Sequence, residues 1–202
     1  MKFLKQTLTT WRGILLFTIT SVLSFPVTAS EENSLGSKSA VVTIIEYGSL
    51  TCDYCIKFHR KVLPLIYSRY IESGQVRFIY RDFPTSSEAK RGAIAARCSG
   101  EQYYKMLELL YAKVGHWSKA DNIDSVLTQY ASSLGNKENQ FQACLNDPRQ
   151  NRTILDLQRR AKNELGVLGT PTFIVNGMIF RGQKTIEEFE VLIKKALLDQ
   201  KK

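Results

Sequence analysis

Ser49-Leu50-Thr51-Cys52-Asp53-Tyr54-Cys55-Ile56-Lys57-Phe58 is the stretch on which the reading of this chain turns. Two cysteines stand two residues apart, directly after an apolar β-like run and directly before a helix-like pattern. A cysteine pair at such a junction reads as a redox centre. If the helix starts at or just after Cys52, the Cys52 sulfur sits over the free N–H groups of the first turn and the positive end of the helix dipole. Both favour a thiolate over a thiol, so its pKa is expected below the free value of about 8.5. Cys55, one turn further in, is expected to be covered by the helix and to resolve a mixed disulfide on Cys52 from within.

Upstream, Ala40-Val41-Val42-Thr43-Ile44-Ile45-Glu46-Tyr47 is β-branched and nearly continuous, which predicts a strand buried on both faces of a sheet. Glu46 is its one acid. Downstream, Phe58, Val62, Leu65, Ile66 and Tyr70 recur at helical spacing, and Pro64 inside the pattern predicts a kink near residues 60–64. After Gly74, Val76-Arg77-Phe78-Ile79-Tyr80-Arg81 alternates as a second strand and leaves through Asp82-Phe83-Pro84. Strand, helix and strand in this compass make a βαβ unit with a parallel pair and a right-handed crossover.

Residues 86–164 carry almost no strand signal. Helical patterns at 87–97, 101–112, 122–134, 138–145 and 150–165 predict a bundle of four or five helices placed between two halves of a sheet domain. Strand patterns resume after Gly169-Thr170-Pro171. Thr172-Phe173-Ile174-Val175 and Met178-Ile179-Phe180-Arg181 flank Asn176-Gly177, a strong type I′ hairpin signal. Thr185 with Glu188 three residues on forms a capping box for a last helix through Leu198. The expected fold class is therefore α/β, in the order βαβ, helical insertion, ββα, around a central mixed sheet.

The N-terminus reads as an address rather than as fold. Lys2, Lys5 and Arg12 precede an apolar run of about fifteen residues, short for a bilayer span, and Val27-Thr28-Ala29 supplies the small residues a signal peptidase reads. A signal peptide over 1–29 and export follow, with an uncleaved anchor as the alternative. Residues 31–39 are expected to be a disordered lead-in, too short for a dimerisation segment, so a monomer is expected. With the signal removed the formal charge falls from +9 to +6. That excess is mixed with acids along the helices, and it excludes a nucleic-acid stripe while fitting acidic or membrane-proximal partners.

All four cysteines lie in the exported part, so two disulfides are permitted in three connectivities. A CxxC pair closes on itself most readily, which leaves Cys98 with Cys144; two free buried thiols are the competing reading. A zinc site from Cys52, Cys55 and His59 lacks a second Cys or His pair to complete it, so no metal and no cofactor are expected.

The order of Cys52-Asp53-Tyr54-Cys55, Asp82-Phe83-Pro84 and Gly169-Thr170-Pro171 resembles the DsbA-like thiol-disulfide oxidoreductases of the bacterial envelope, a thioredoxin fold with an inserted helical domain. The resemblance covers residues 40–199. It implies a thioredoxin-like domain made of 40–85 and 165–202, an inserted domain over 86–164, and a redox pair in which Cys52 is the nucleophile. It implies a cis peptide before Pro171, with Thr170 facing the disulfide where a substrate peptide pairs. It also implies that Glu46 is a buried acid relaying the proton of Cys55, the alternative being an exposed acid paired with Arg77 or Arg81. Asp53 and Tyr54 tune the potential and imply a weaker oxidant than members with histidine before the second cysteine. A second, structural disulfide between Cys98 and Cys144 fits some relatives.

The function expected is a periplasmic oxidoreductase that introduces disulfides into unfolded or reduced secreted proteins, with a membrane-embedded quinone-linked oxidase as its reoxidising partner. A disulfide isomerase or reductase of the same fold is the alternative, drawn from Tyr54 and Thr170. A non-catalytic peptide-binding or chaperone-like envelope protein is the second.

Overall fold

Strand β1, Val42–Gly48, is the centre of the sheet and explains the rest of it. It runs parallel to β2, Val76–Asp82, on one side and antiparallel to β3, Thr172–Val175, on the other. A strand covered this way has no edge to solvate, which is why its sequence is β-branched and apolar. Strand β4, Met178–Arg181, pairs with β3 and completes the order β2-β1-β3-β4. The hairpin between them turns at Asn176 and Gly177, both at positive φ (44° and 85°), as a type I′ turn requires. The structure is a computed structural model that describes residues 32–199, so the signal peptide expected over 1–29 lies outside the described residues.

The lead-in is anchored where it is described, contrary to the disorder expected for it. Leu35 exchanges both backbone hydrogen bonds with Phe78 on the outer edge of β2, and Glu32 pairs with Arg81 at 2.6 Å. Short polar sequence hides this, because the bonds are made by main chain and by one ion pair rather than by a hydrophobic pattern.

Between β1 and β2 the chain is helical over residues 53–71, in four pieces. Helix α1, Asp53–Lys57, passes into a π-helical turn, Phe58–Val62; α2, Leu63–Ile66, passes into a second, Tyr67–Ile71. The expected break at Pro64 takes this form. Proline has no N–H to donate to the carbonyl four residues back, and just before it the ladder widens so that the Leu63 N–H reaches Phe58 O, five residues back.

Six helices follow β2: α3 (Ser87–Cys98), α4 (Tyr103–Ala112), α5 (Val114–Trp117), α6 (Ile123–Ser133), α7 (Glu138–Leu145) and α8 (Pro148–Leu165). The short α5 has no periodicity to betray it, but its Trp117 is fully buried and donates to Leu110 O at 2.8 Å. Gly92 lets α3 approach this point, for a Cβ there would meet Leu50 Cδ1 at 2.7 Å and Trp117 Cη2 at 2.9 Å. The helical segment thus touches the loop that carries Cys52. Helix α9, Ile186–Asp199, opens on the Thr185/Glu188 capping box, with the two reciprocal bonds at 2.8 and 3.3 Å.

Alternation along β1 sorts the two faces of the sheet. Val42, Ile44 and Glu46 share one face with Phe58, Phe78, Phe173 and Phe189 in the larger core, whereas Ile45 and Tyr47 join Phe83, Ala161, Val167 and Ile174 on the other. Glu46 is therefore carried under helix α1 by the strand's own period.

Candidate active site

The site begins at the end of β1. Cys52 is the N-cap of α1, extended at φ −83° and ψ 123°, and Cys55 lies one turn inside, with no exposed surface. Both are free thiols. The Cys52 thiol donates to the main-chain oxygen of Thr170 at 3.3 Å, and the peptide joining Thr170 to Pro171 is cis. Two loops 118 residues apart in sequence thus meet at one sulfur.

The two thiols are driven in opposite directions. A hydrogen bond from the Cys55 thiol lowers Cys52 most, and the Thr170 side chain and the amides of Cys55 and Tyr54 add to it against a burial penalty, leaving Cys52 at about 5. Those amides are the free N–H groups of the first helical turn, so the N-cap position does what the sequence predicts of it. Burial pushes Cys55 far up, and the neighbouring Cys52 and Glu46 push it further. At neutral pH the pair is one thiolate facing outward and one thiol facing inward.

Asp53 and Tyr54 are exposed on the first turn, Tyr54 at 51%. Lys57 Nζ lies 5.2 Å over the Tyr54 ring. Leu168, at 74% exposure, stands two residues before Thr170. Tyr54 and Leu168 are thus two exposed apolar side chains close in sequence to Cys52 and to Thr170.

Glu46 is wholly buried, and burial raises its pKa. Its partner is neither Arg77 nor Arg81, the alternative the sequence offered. Arg81 is taken by Glu32 and by the Tyr47 hydroxyl at 2.7 Å; Glu46 Oε2 instead meets His59 Nε2 at 2.7 Å. His59 therefore enters as part of the site, where the sequence weighed it only as a zinc ligand. The signal was present but faint: seven residues after Cys52, two turns of helix return a side chain to the face that looks on β1. Among the described residues no three His, Cys, Asp or Glu side chains are placed to hold a metal ion.

Asp82 of the Asp82-Phe83-Pro84 segment is 5% exposed, its Oδ1 has no partner, and Arg97 stands 3.9 Å away. Burial raises it to about 7 despite the arginine. Phe83 N–H donates to Gly48 O at 2.8 Å, extending the β1–β2 pairing toward the site. Cys98 and Cys144 are joined as a disulfide, Cα atoms 5.7 Å apart, tying the end of α3 to α7. His116 bonds the Tyr130 hydroxyl at 2.8 Å, away from the cysteine pair in the helical segment.

A strand leading to a helix N-terminus with a partly exposed cysteine, a buried second cysteine and a cis-proline loop against the first defines a dithiol protein of thioredoxin fold. The sequence matches the family described as Thioredoxin over residues 28–195, and the chain belongs to that family. A Rickettsia felis protein with the provisional name protein-disulfide oxidoreductase is 27% identical over 169 residues, covering 83% of this chain and 60% of its own length. The chain thus spans about three fifths of that relative. The crystal structure of Wolbachia pipientis alpha-DsbA1 superposes with a TM-score of 0.75 at 27% identity, covering 85% of this chain and 95% of the other. Chlamydia trachomatis DsbA has the same fold, with a TM-score of 0.74 at 20% identity over 88% and 96% of the two chains.

Proposed function

We propose that this protein is a thiol-disulfide oxidoreductase of the periplasm that introduces disulfides into exported proteins through Cys52 and Cys55. The observation that carries the reading is the geometry of the pair: Cys52 stands partly exposed at the N-cap of α1 against the Thr170 carbonyl and the cis Pro171, and Cys55 is buried one turn inside, an arrangement that lowers the first thiol and raises the second. A substrate thiolate attacks Cys52 Sγ of the oxidised pair, the S–S bond to Cys55 breaks, and Cys55 leaves as a thiolate and takes up a proton. A second substrate thiolate attacks the mixed disulfide, and Cys52 departs as a stable thiolate. The substrate is oxidised by two electrons and the pair is reduced.

Thiolate stability sets the direction, since a stabilised thiolate stabilises the reduced protein and makes it oxidising. At about 5, Cys52 falls between strong oxidants, near 3.5, and thioredoxin, near 7. That favours an oxidase of moderate strength, and Thr170 with Tyr54 supports isomerisation or reduction as the second reading. Unfolded secreted proteins with paired thiols are the substrates, received against Thr170-Pro171 between Tyr54 and Leu168. In this reading residues 40–85 and 165–202 carry the chemistry and the inserted 86–164 stands beside it. The location and the quinone-linked membrane oxidase as reoxidant rest on the sequence resemblance and the expected signal; among the described residues no helix is long and apolar enough to cross a membrane.

The test is oxidative refolding of a reduced protein with several disulfides, with the Cys52→Ser variant alongside. The reading expects wild type to speed recovery and the variant to be inert. Equal activity from the variant assigns the effect to peptide binding and rejects the enzyme.

A further inference from the structure

Glu46 has a second side that its place beneath the cysteines does not explain. The Glu46–His59 pair is sealed, its side chains 0% and 5% exposed. The imidazole is stacked on Tyr111, ring centroids 3.8 Å apart and planes at 15°, and edged by Tyr80 and Phe78. Tyr80 and Tyr111 bind one another through their hydroxyls at 3.0 Å. The ionisable groups around the pair are thus Tyr80 from β2, Tyr111 from α4, and Cys52 and Cys55 from the head of α1. Glu46 Oε1 is left with no partner of hydrogen-bonding geometry, and the carboxyl and the Cys55 thiol act on one another.

We propose that His59 is a positioning residue for the exchange reaction: it supplies the counter-charge that lets Glu46 take and return the Cys55 proton inside a sealed site. The inference rests on the oxidoreductase reading above. A carboxylate buried alone beside a thiol either keeps its proton, and cannot take another, or carries an uncompensated charge too costly to be populated near neutral pH. With His59, one proton lies between Oε2 and Nε2 and the pair is neutral as a whole. When Cys55 gives up its S–H proton to Oε1, the pair becomes positive beside a negative sulfur, and the site stays neutral. The Cys55 thiolate then attacks Cys52 Sγ of the mixed disulfide. The Cys52–Cys55 bond forms, the bond to the partner sulfur breaks, and that sulfur leaves with the electron pair. The dithiol is oxidised and the partner disulfide reduced, and the reverse step returns the proton from Oε1 to Cys55. Tyr111 fixes the imidazole plane and excludes water from it.

His59→Gln keeps a hydrogen-bond donor toward Glu46 and removes the counter-charge, so it separates the two roles. Reduced protein is mixed with glutathione disulfide, and the resolution of the Cys52–glutathione mixed disulfide is followed against pH. The expected result is a loss of at least tenfold at neutral pH, with the acid limb of the rate displaced upward and recovery in alkaline buffer. Infrared spectra of the resting protein read the same pair without turnover. Against the Glu46→Gln/His59→Gln double variant, which keeps the band of Asp82 and lacks that of Glu46, the difference band of a protonated Glu46 carboxyl persists in His59→Gln to higher pH than in wild type. A His59→Gln variant with the wild-type acid limb and the wild-type carboxyl band overturns the proposal. If wild type fails to exchange with any disulfide, the enzyme reading falls, and the infrared titration alone then decides whether His59 sets the charge of Glu46.

Discussion

The Cys52 sulfur lies 3.3 Å from the Thr170 carbonyl oxygen, so the helix that activates the thiol and the cis-proline loop are one site. The group that lowers Cys52 most, however, is the Cys55 thiol. Replacing Cys55 with Ala is expected to move the Cys52 titration up from about 5 toward the free value. Alkylation rates of the reduced protein against pH, with the site of labelling mapped by mass spectrometry, check this. Wild type is expected to label at Cys52 alone near pH 6.

The same shift fixes how stability depends on redox state. Cys52 is lowered, so between about 5 and the unfolded value the unfolded reduced chain holds more protons than the folded one. The contribution is fully present above the unfolded pKa and is lost as pH falls through about 5. Reduced protein is therefore expected to gain melting temperature over oxidised protein as pH rises from 5 to 8. Melting both forms across that range measures it; a reduced-minus-oxidised difference in melting temperature that falls with rising pH contradicts the thiolate.

Asp82 works in the opposite sense. Its folded pKa is raised from 3.8 to about 7, so the folded chain holds the extra proton and stability falls as pH rises through that window. The shift corresponds to on the order of 4 kcal/mol. In the oxidised protein, where Cys52 does not titrate, Asp82→Asn is expected to flatten the decline between pH 4 and 7. Denaturant midpoints at both pH values give the comparison.

Removing the second disulfide separates fold from chemistry. Cys98 and Cys144 close a loop with a sequence separation of 46, for which the chain-entropy relation gives about 4 kcal/mol. A Cys98→Ala/Cys144→Ala variant is expected to lose up to that much stability and to keep the reactivity of Cys52. Urea unfolding beside an alkylation assay tests both halves.

Gly92→Ala probes the contact between the helical segment and the Cys52 loop. A methyl group there would stand 2.7 Å from Leu50 Cδ1 and 2.9 Å from Trp117 Cη2, both side chains buried. Overpacking of this kind costs about 1–3 kcal/mol. Because Leu50 lies two residues before Cys52, exchange rate is expected to fall with stability.

What could be read from the sequence is what local chemistry specifies. The β1 pattern, the Asn176-Gly177 turn, the Thr185 capping box and the CxxC at a helix start each rest on neighbours within a few residues, and the structure has them all. Pro64 announced a break, but the form it takes, a ladder widened so that the Leu63 N–H reaches Phe58 O, is not written in the neighbouring residues. Helix α5 is too short for periodicity, and the Leu35–Phe78 bridge is made by main chain alone. Glu46 could be recognised as the odd acid in an apolar strand. That its partner is His59 and not Arg77 or Arg81 is set by which face of β1 the helix crosses, a tertiary fact.

The most direct test of the account is to trap the reaction halfway. Cys55→Ser and Cys52→Ser are each incubated with an unfolded protein carrying a disulfide, quenched in acid and analysed by mass spectrometry. A covalent adduct linked through Cys52 in the Cys55→Ser variant, with none in Cys52→Ser, is the predicted result. An adduct at Cys55, or none in either variant, contradicts Cys52 as the nucleophile and with it the proposed function.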